Sequence, residues 1–227
     1  MKGILNLNNG FGAMLNKFGQ CILLSMYWVV FSLPIFTWGA AGCALYSTGR
    51  KLLENEEGKL FQTWKSSFKQ NFKQGAAVGS LALLVLLVAI YSGLLMLRMG
   101  VFSDTLGSIA GIVYLLVVFV GAVWLHYIIA YIARFEDKLM TVLRNTVYMA
   151  LMHFKTTVRL AIQLAIVCAM FYFVSLIPYF PLIVLLLPSA YSLLTVRPLE
   201  RVFEQYMPKE ETEDGQETPA SEEAVAE

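Results

Sequence analysis

The sequence lacks charged residues over most of its length. Charged side chains make up 15% of the 227 residues, whereas hydrophobic side chains make up 58%. Asp, Glu, Lys and Arg are all absent from four continuous runs, which are residues 18–49, 74–97, 105–133 and 160–196. Each run exceeds the roughly 18 residues that mark a transmembrane helix. The composition therefore argues against an ordinary soluble enzyme and predicts an all-α, polytopic helical bundle in a membrane.

Catalytic and metal-binding motifs are also missing. The sequence contains no G-x-x-x-x-G-K-[ST] phosphate loop, no H-E-x-x-H and no G-x-S-x-G. Three isolated cysteines and two histidines do not form a usual zinc site. Every acidic residue lies outside the four uncharged runs, so paired carboxylates are not available for acid–base catalysis inside the bilayer. We therefore expect a protein that is not an enzyme and that needs no cofactor or metal.

Two of the uncharged runs are too long for one membrane crossing. Residues 18–49 and 160–196 span 32 and 37 positions, whereas one crossing needs about 20. Pro34 interrupts the first run, and Pro178 and Pro181 interrupt the second. Proline removes a backbone donor and favours extended geometry in the residue before it. Each run is interpreted as two short helices joined by a turn, and a single long kinked helix is the alternative.

The distribution of basic residues favours the interpretation with six spans in three hairpins. With that arrangement sixteen of the seventeen Lys and Arg residues lie on one side, and only Arg98 lies on the other. An excess of Lys and Arg in short loops marks the cytoplasmic side, so both termini are predicted to be cytoplasmic. Residues 1–207 then form the transmembrane domain, with spans at about 18–34, 37–53, 75–97, 106–133, 158–177 and 181–196.

The last twenty residues differ sharply in composition from the rest of the chain. Residues 208–227 contain eight acidic residues and one lysine, and few apolar side chains. Such a segment cannot bury enough apolar surface to offset the entropy of ordering. It is predicted to be a disordered acidic tail on the cytoplasmic side.

An aromatic and basic segment lies between the second and third predicted spans. Its aromatic residues recur at helical spacing, and three lysines follow a second row at intervals of four: Phe61, Trp64, Phe68 and Phe72, with Lys65, Lys69 and Lys73. An aromatic face beside lysines is typical of a helix lying on an anionic membrane surface. It is also suited to docking a cytoplasmic partner, or to packing beneath the bundle. No nucleic-acid role is expected.

A second amphipathic segment lies between the fourth and fifth predicted spans. Leu139, Leu143, Val147 and Phe154 form an apolar stripe beside Arg144. The same three interpretations apply to this segment.

His126 is the one ionisable residue deep inside a predicted span. It lies eight positions before Arg134, or about 12 Å of helix from the cytoplasmic end. It is interpreted as a neutral histidine that is hydrogen-bonded within the bundle, or as a proton-relay or ligand contact. In the same span, Gly107 and Gly111 have the spacing of small-residue pairs that let helices approach closely, and a homo-oligomer is considered on that basis.

The order of these features resembles a known family. The proline–threonine–glycine turn in SLPIFTWGAAGCALYSTGRKLL is followed by an acidic stretch and by FQTWKSSFKQNFKQG. This pattern is similar to the YesL-like family of bacterial integral membrane proteins, over about residues 5–205 and most distinctly over 31–75. The resemblance implies a bacterial plasma-membrane protein whose relatives are often encoded near sugar-uptake importers. It implies no catalytic or binding residues.

Two functions are consistent with these features. The first is a non-enzymatic accessory subunit associated with carbohydrate uptake or its sensing, which would contact the membrane subunits of an ATP-driven sugar importer. The alternative is a small transporter or channel, acting alone or as an oligomer, with His126 on its polar path.

Overall fold

The computed structural model describes residues 10–54, 59–174 and 180–207, and the regular structure within them is entirely helical. The acidic tail predicted at 208–227 lies outside the described residues. The long helices are α1 (Gly10–Ser32), α2 (Trp38–Glu54), α3 (Leu60–Gln70), α4 (Phe72–Arg98), α5 (Thr105–Arg134), α6 (Leu139–Met152), α7 (Phe154–Val174) and α8 (Phe180–Phe203). Short 3-10 turns occupy Ile35–Thr37, Val101–Ser103 and Glu204–Tyr206. The prediction of an all-α protein is confirmed.

Within the residues that the structure describes, two helices have the length and apolarity needed to cross a membrane. These are α4 and α5, which contain the predicted spans 75–97 and 106–133. A third crossing is possible if α6 and α7, which meet at a bend of 96°, are taken together as one broken span. From Leu81 to Arg98, α4 has no buried residue, and its outer surface is almost wholly apolar. Such a surface is stable in lipid but not in water, so the chain has the character of a membrane protein.

The predicted break at Pro34 is present. α1 ends at Ser32, and α2 begins at Trp38 after a 3-10 turn. The Thr37 hydroxyl donates to the backbone carbonyls of Phe31 and Pro34, at 2.5 and 2.6 Å, and so closes the turn. The predicted turn around Pro178 lies largely outside the described residues.

Helix α2 occupies the centre of the bundle. It contacts α1, α3, α4, α5 and α8. Five helices can surround it because its first two turns are built from small residues, which let neighbouring backbones approach. Those residues are Gly39, Ala40, Ala41, Gly42, Cys43 and Ala44.

The closest helix contact joins α2 to α4. Gly75 and Gly79, one turn apart on α4, lie directly against the backbone of Gly39 on α2. A Cβ atom on Gly79 would lie 2.5 Å from the Gly39 nitrogen and 2.7 Å from its Cα. This G-x-x-x-G pair therefore fixes the distance between the two helices.

Gly107 and Gly111 have a different role from the one their spacing suggested. A Cβ at Gly107 would overlap the Val101 carbonyl, and a Cβ at Gly111 would lie 2.5 Å from the Phe102 ring. Both glycines thus leave room for the 3-10 turn that joins α4 to α5. The Asp104 side chain caps the start of α5 by accepting a 2.9 Å hydrogen bond from the Gly107 amide. Within the chain, these two glycines contact the turn and not a neighbouring helix.

The main core surrounds the second half of α5. Tyr127, Ile128 and Tyr131 are buried there against α6, α7 and α8. Helix α8 continues through Pro188 and Pro198 to Phe203, well beyond the predicted end of the span at 196. Each proline lacks a backbone N–H and cannot donate a helical hydrogen bond. The burial of Leu199, Val202 and Phe203 in this core offsets that loss.

Candidate functional site

The aromatic face of α3 packs partly against the bundle. Trp64 is completely buried, and its ring contacts those of Tyr27 and Phe31 on α1. Phe68 packs edge-to-face on Phe31, with ring centroids 4.9 Å apart. These two aromatic residues therefore anchor α3 to α1, with Trp64 fully buried and Phe68 half-buried.

The remaining members of the predicted face stay accessible. Phe61 is 46% exposed and Phe72 is 37% exposed. Lys65, Lys69 and Lys73 are also exposed, and none forms an ion pair within the described part of the chain. The predicted helical run breaks at Asn71, so Phe61, Lys65 and Lys69 lie on α3, whereas Phe72 and Lys73 lie in the first turn of α4. We call these five residues the α3 surface. It combines two aromatic rings with three uncompensated positive charges, a composition that fits a protein interface or an anionic surface.

His126 lies where α5 meets α8. It is far in sequence from the α3 surface, and its hydrogen bond and ring contact are both made elsewhere in the bundle. Its Nδ1 atom is 2.7 Å from the Ala122 carbonyl, one turn earlier in α5. Its ring packs edge-to-face on Tyr191 of α8, with centroids 5.2 Å apart. Among the described residues, no carboxylate bonds to this imidazole. The arrangement matches the interpretation of a histidine hydrogen-bonded within the bundle.

A buried charged cluster joins three helices, and the sequence did not indicate it. Glu200 of α8 accepts a 2.8 Å hydrogen bond from the Tyr46 hydroxyl of α2. The same carboxylate lies 3.5 Å from the Arg134 Nε of α5 and 4.0 Å from the Arg50 Nε of α2. Arg50 also pairs with Glu54, one turn later in α2, at 3.0 Å. The cluster thus ties the ends of α2, α5 and α8 together.

Burial raises the pKa of Glu200 above its ordinary value of 4.5, against the opposing effects of the Tyr46 hydrogen bond and the Arg134 and Arg50 charges. Glu200 was missed because the predicted span ended before it. The available signal was its spacing: it lies one turn after Val196, and both are buried on α8.

Helices α2 and α8 also meet through small polar residues. The Ser192 hydroxyl donates to the Leu45 carbonyl at 3.4 Å, and Gly49 leaves room for that hydroxyl. In the described residues no group of histidine, cysteine and acidic side chains could hold a metal ion.

Part of the chain matches a known family of proteins. Residues 21–92 match a family model described as "Protein of unknown function, DUF624". The match covers α2, α3 and most of α1 and α4. The matched family has no assigned activity. No curated protein and no solved structure matches the chain. The resemblance to the YesL-like family is consistent with this match, which includes the turn at Pro34 and the α3 surface.

Proposed function

We propose that the chain crosses the bacterial plasma membrane six times as three hairpins, with both termini in the cytoplasm. The proposal rests on the uncharged runs and on the distribution of basic residues. α4 and α5 form one hairpin of this set. In this arrangement the α3 surface, the Glu200 cluster and the α6–α7 bend face the cytoplasm. The turn at Val101–Ser103 faces outward.

We propose further that the protein is a non-enzymatic accessory subunit, which binds the membrane subunits of an ATP-driven sugar importer through the α3 surface. The observation that carries this proposal is the exposure of Phe61 on α3 and Phe72 at the start of α4, beside three lysines that form no ion pair among the described residues. Helix α3 is itself anchored to α1 through Trp64. A rigid helix presents exposed aromatic side chains at a low entropic cost on binding. The sugar-importer partner is proposed from the family resemblance.

Replacing Phe61 by Ser and Lys69 by Glu together is expected to release such a partner and to preserve the fold. Lys69 is exposed, and Phe61 is half-exposed with its ring edge-to-face on Tyr27, while Trp64 keeps α3 anchored. Aromatic interface residues often contribute about 2 kcal/mol or more, so partner recovery should fall at least about tenfold. The measurement is co-purification from native membranes in mild detergent, with mass spectrometry of the retained proteins.

Tyr148→Ser provides the matched control, since Tyr148 is an equally exposed aromatic residue on α6. The control variant should retain the partner. Equal recovery of importer subunits with both variants would show that the α3 surface is not the contact.

A small transporter or channel is the second candidate. One observation favours it: the Tyr191 hydroxyl beside His126, and the side-chain carbonyl of Gln163, are buried and have no hydrogen-bond partner within the described residues. Unsatisfied polar atoms at membrane depth are costly and can mark a solute path. Recovery of the chain alone as a defined oligomer would support this candidate instead.

A further inference from the structure

The segment that contains the α6–α7 bend carries an excess of positive charge. Residues 138–159 contain four basic side chains and no acidic one: Lys138, Arg144, Lys155 and Arg159. None of the four forms an ion pair or hydrogen bond within the described chain. The two nearest acids in sequence are already engaged. Glu136 accepts from Gln70 at 2.5 Å, and Asp137 accepts from Tyr131 at 2.6 Å.

The outward face of α6 is apolar although it is not covered by the bundle. Met140, Val147 and Leu151 share this face with Arg144, because they recur at helical spacing. Met140 is 77% exposed and Leu151 is 73% exposed. The opposite face of α6 is already buried through Val142, Thr146 and Met149. The outward face therefore lacks a partner within the described chain.

Helix α7 also has an exposed face that carries both basic and apolar residues. Lys155, Arg159, Ile162 and Ile166 fall on one exposed face at intervals of four, three and four residues. The two bases come first along the helix, and the two isoleucines lie about 10 Å further on by helix rise. A charged group followed by an apolar strip has the same order as a phospholipid, in which a phosphate precedes the acyl chains.

We propose that residues 138–159, together with Ile162 and Ile166, form a binding site for an anionic phospholipid. The headgroup phosphate lies between Arg144, Lys155 and Arg159, and the acyl chains lie along α7. The apolar face of α6 rests in the interface of the same leaflet. This inference requires α7 to enter the bilayer, but it does not depend on the importer partner.

Charge favours a lipid over a second copy of the chain. A two-fold interface through the outward face of α6 would bring the two Arg144 side chains together with six further bases nearby. Like charges in contact at an interface oppose association. An anionic lipid instead neutralises these charges while covering the exposed methionine and leucine side chains.

The test uses the purified full-length protein in phosphatidylcholine nanodiscs doped with increasing amounts of phosphatidylglycerol. The thermal unfolding midpoint reports binding. The elbow variant carries Arg144→Gln, Lys155→Gln and Arg159→Gln, and the control variant removes three exposed bases that lie outside both proposed surfaces, through Lys59→Gln, Arg197→Gln and Arg201→Gln. Each base near an anionic surface contributes about fivefold in affinity, so the elbow variant should bind phosphatidylglycerol at least about tenfold more weakly.

The control variant should bind phosphatidylglycerol as tightly as the unmodified protein does. In pure phosphatidylcholine, both variants should have the unfolding midpoint of the unmodified protein. If both variants bind phosphatidylglycerol equally weakly, the effect is one of net charge and the site is overturned. If neither variant binds phosphatidylglycerol more weakly, the site is overturned as well. Stabilisation by inorganic phosphate alone, to the same extent, would assign the bases to a free anion instead. Loss of a dimer in the elbow variant would assign the face to a second copy.

Discussion

Gly79→Ala is expected to destabilise the protein by about 2–3 kcal/mol. The added methyl group would lie 2.5 Å from the Gly39 backbone nitrogen, so relief requires moving a whole helix rather than a side chain. Overpacking of this kind typically costs about 1–3 kcal/mol. It should exceed the roughly 0.5–1 kcal/mol that alanine gains over glycine within a helix. The measurement is the thermal unfolding midpoint of the purified protein in detergent.

Gly121→Ala is the matched control. Gly121 also lies within a long helix, but nothing lies within 4 Å of its added Cβ atom. This substitution should leave the unfolding midpoint unchanged or raise it. Equal midpoints for Gly79→Ala and Gly121→Ala would show that α2 and α4 are not held in backbone contact.

Glu200→Ala is expected to produce a loss of similar or larger size, about 3 kcal/mol. Removing the carboxylate leaves Arg134 and Arg50 partly buried without their shared counter-charge, and leaves the Tyr46 hydroxyl without its acceptor. Breaking a buried pair from one side typically costs about 3–5 kcal/mol, and partial exposure of the arginines places the expected loss at the lower end. Loss of contacts between α2, α5 and α8 should lower the unfolding midpoint.

Glu204→Ala controls for removing a negative charge from the same end of the chain. Glu204 lies four residues further on and is exposed, so its removal should be nearly neutral. If the two alanine variants unfold together, the cluster does not hold the helices.

Glu200→Gln separates hydrogen bonding from charge. The pKa of Glu200 is raised on folding, so the native protein binds this proton more tightly than the unfolded chain does. The corresponding stability is present below the unfolded value near 4.5 and is lost as the pH rises through the higher native pKa. A glutamine cannot ionise, so this part of the pH dependence should disappear in Glu200→Gln.

The sequence was sufficient for features that depend on one segment at a time. The absence of charge over 74–97 and 105–133 predicted α4 and α5 because hydropathy acts locally. Pro34 predicted the break after α1, since proline acts on its own backbone. Helical spacing also placed Phe61, Trp64 and Phe68 on α3.

Features that depend on which helices meet could not be derived in the same way. Spacing identified Gly107 and Gly111 as a packing pair, but Gly75 and Gly79 face another helix while the first two face their own loop. The aromatic face of α3 divides into a buried half and an exposed half only because α1 covers Trp64. Glu200 gains its role from Tyr46, 154 positions earlier in the chain.

The measurement that tests the account most directly is the sidedness of three exposed positions. In a chain whose cysteines are replaced by alanine, Ser66→Cys, Gln205→Cys and Ser103→Cys introduce single labelling sites on α3, in the turn after α8 and in the turn before α5. Intact cells are treated with a membrane-impermeant thiol reagent. The six-span account predicts that only Ser103→Cys is labelled, and that the other two react after the membrane is opened. Labelling of Ser66→Cys in intact cells would contradict it, because the α3 surface would then lie outside the cytoplasm. Labelling of Gln205→Cys would contradict it as well, because a single long helix over 160–196 places the end of α8 outside.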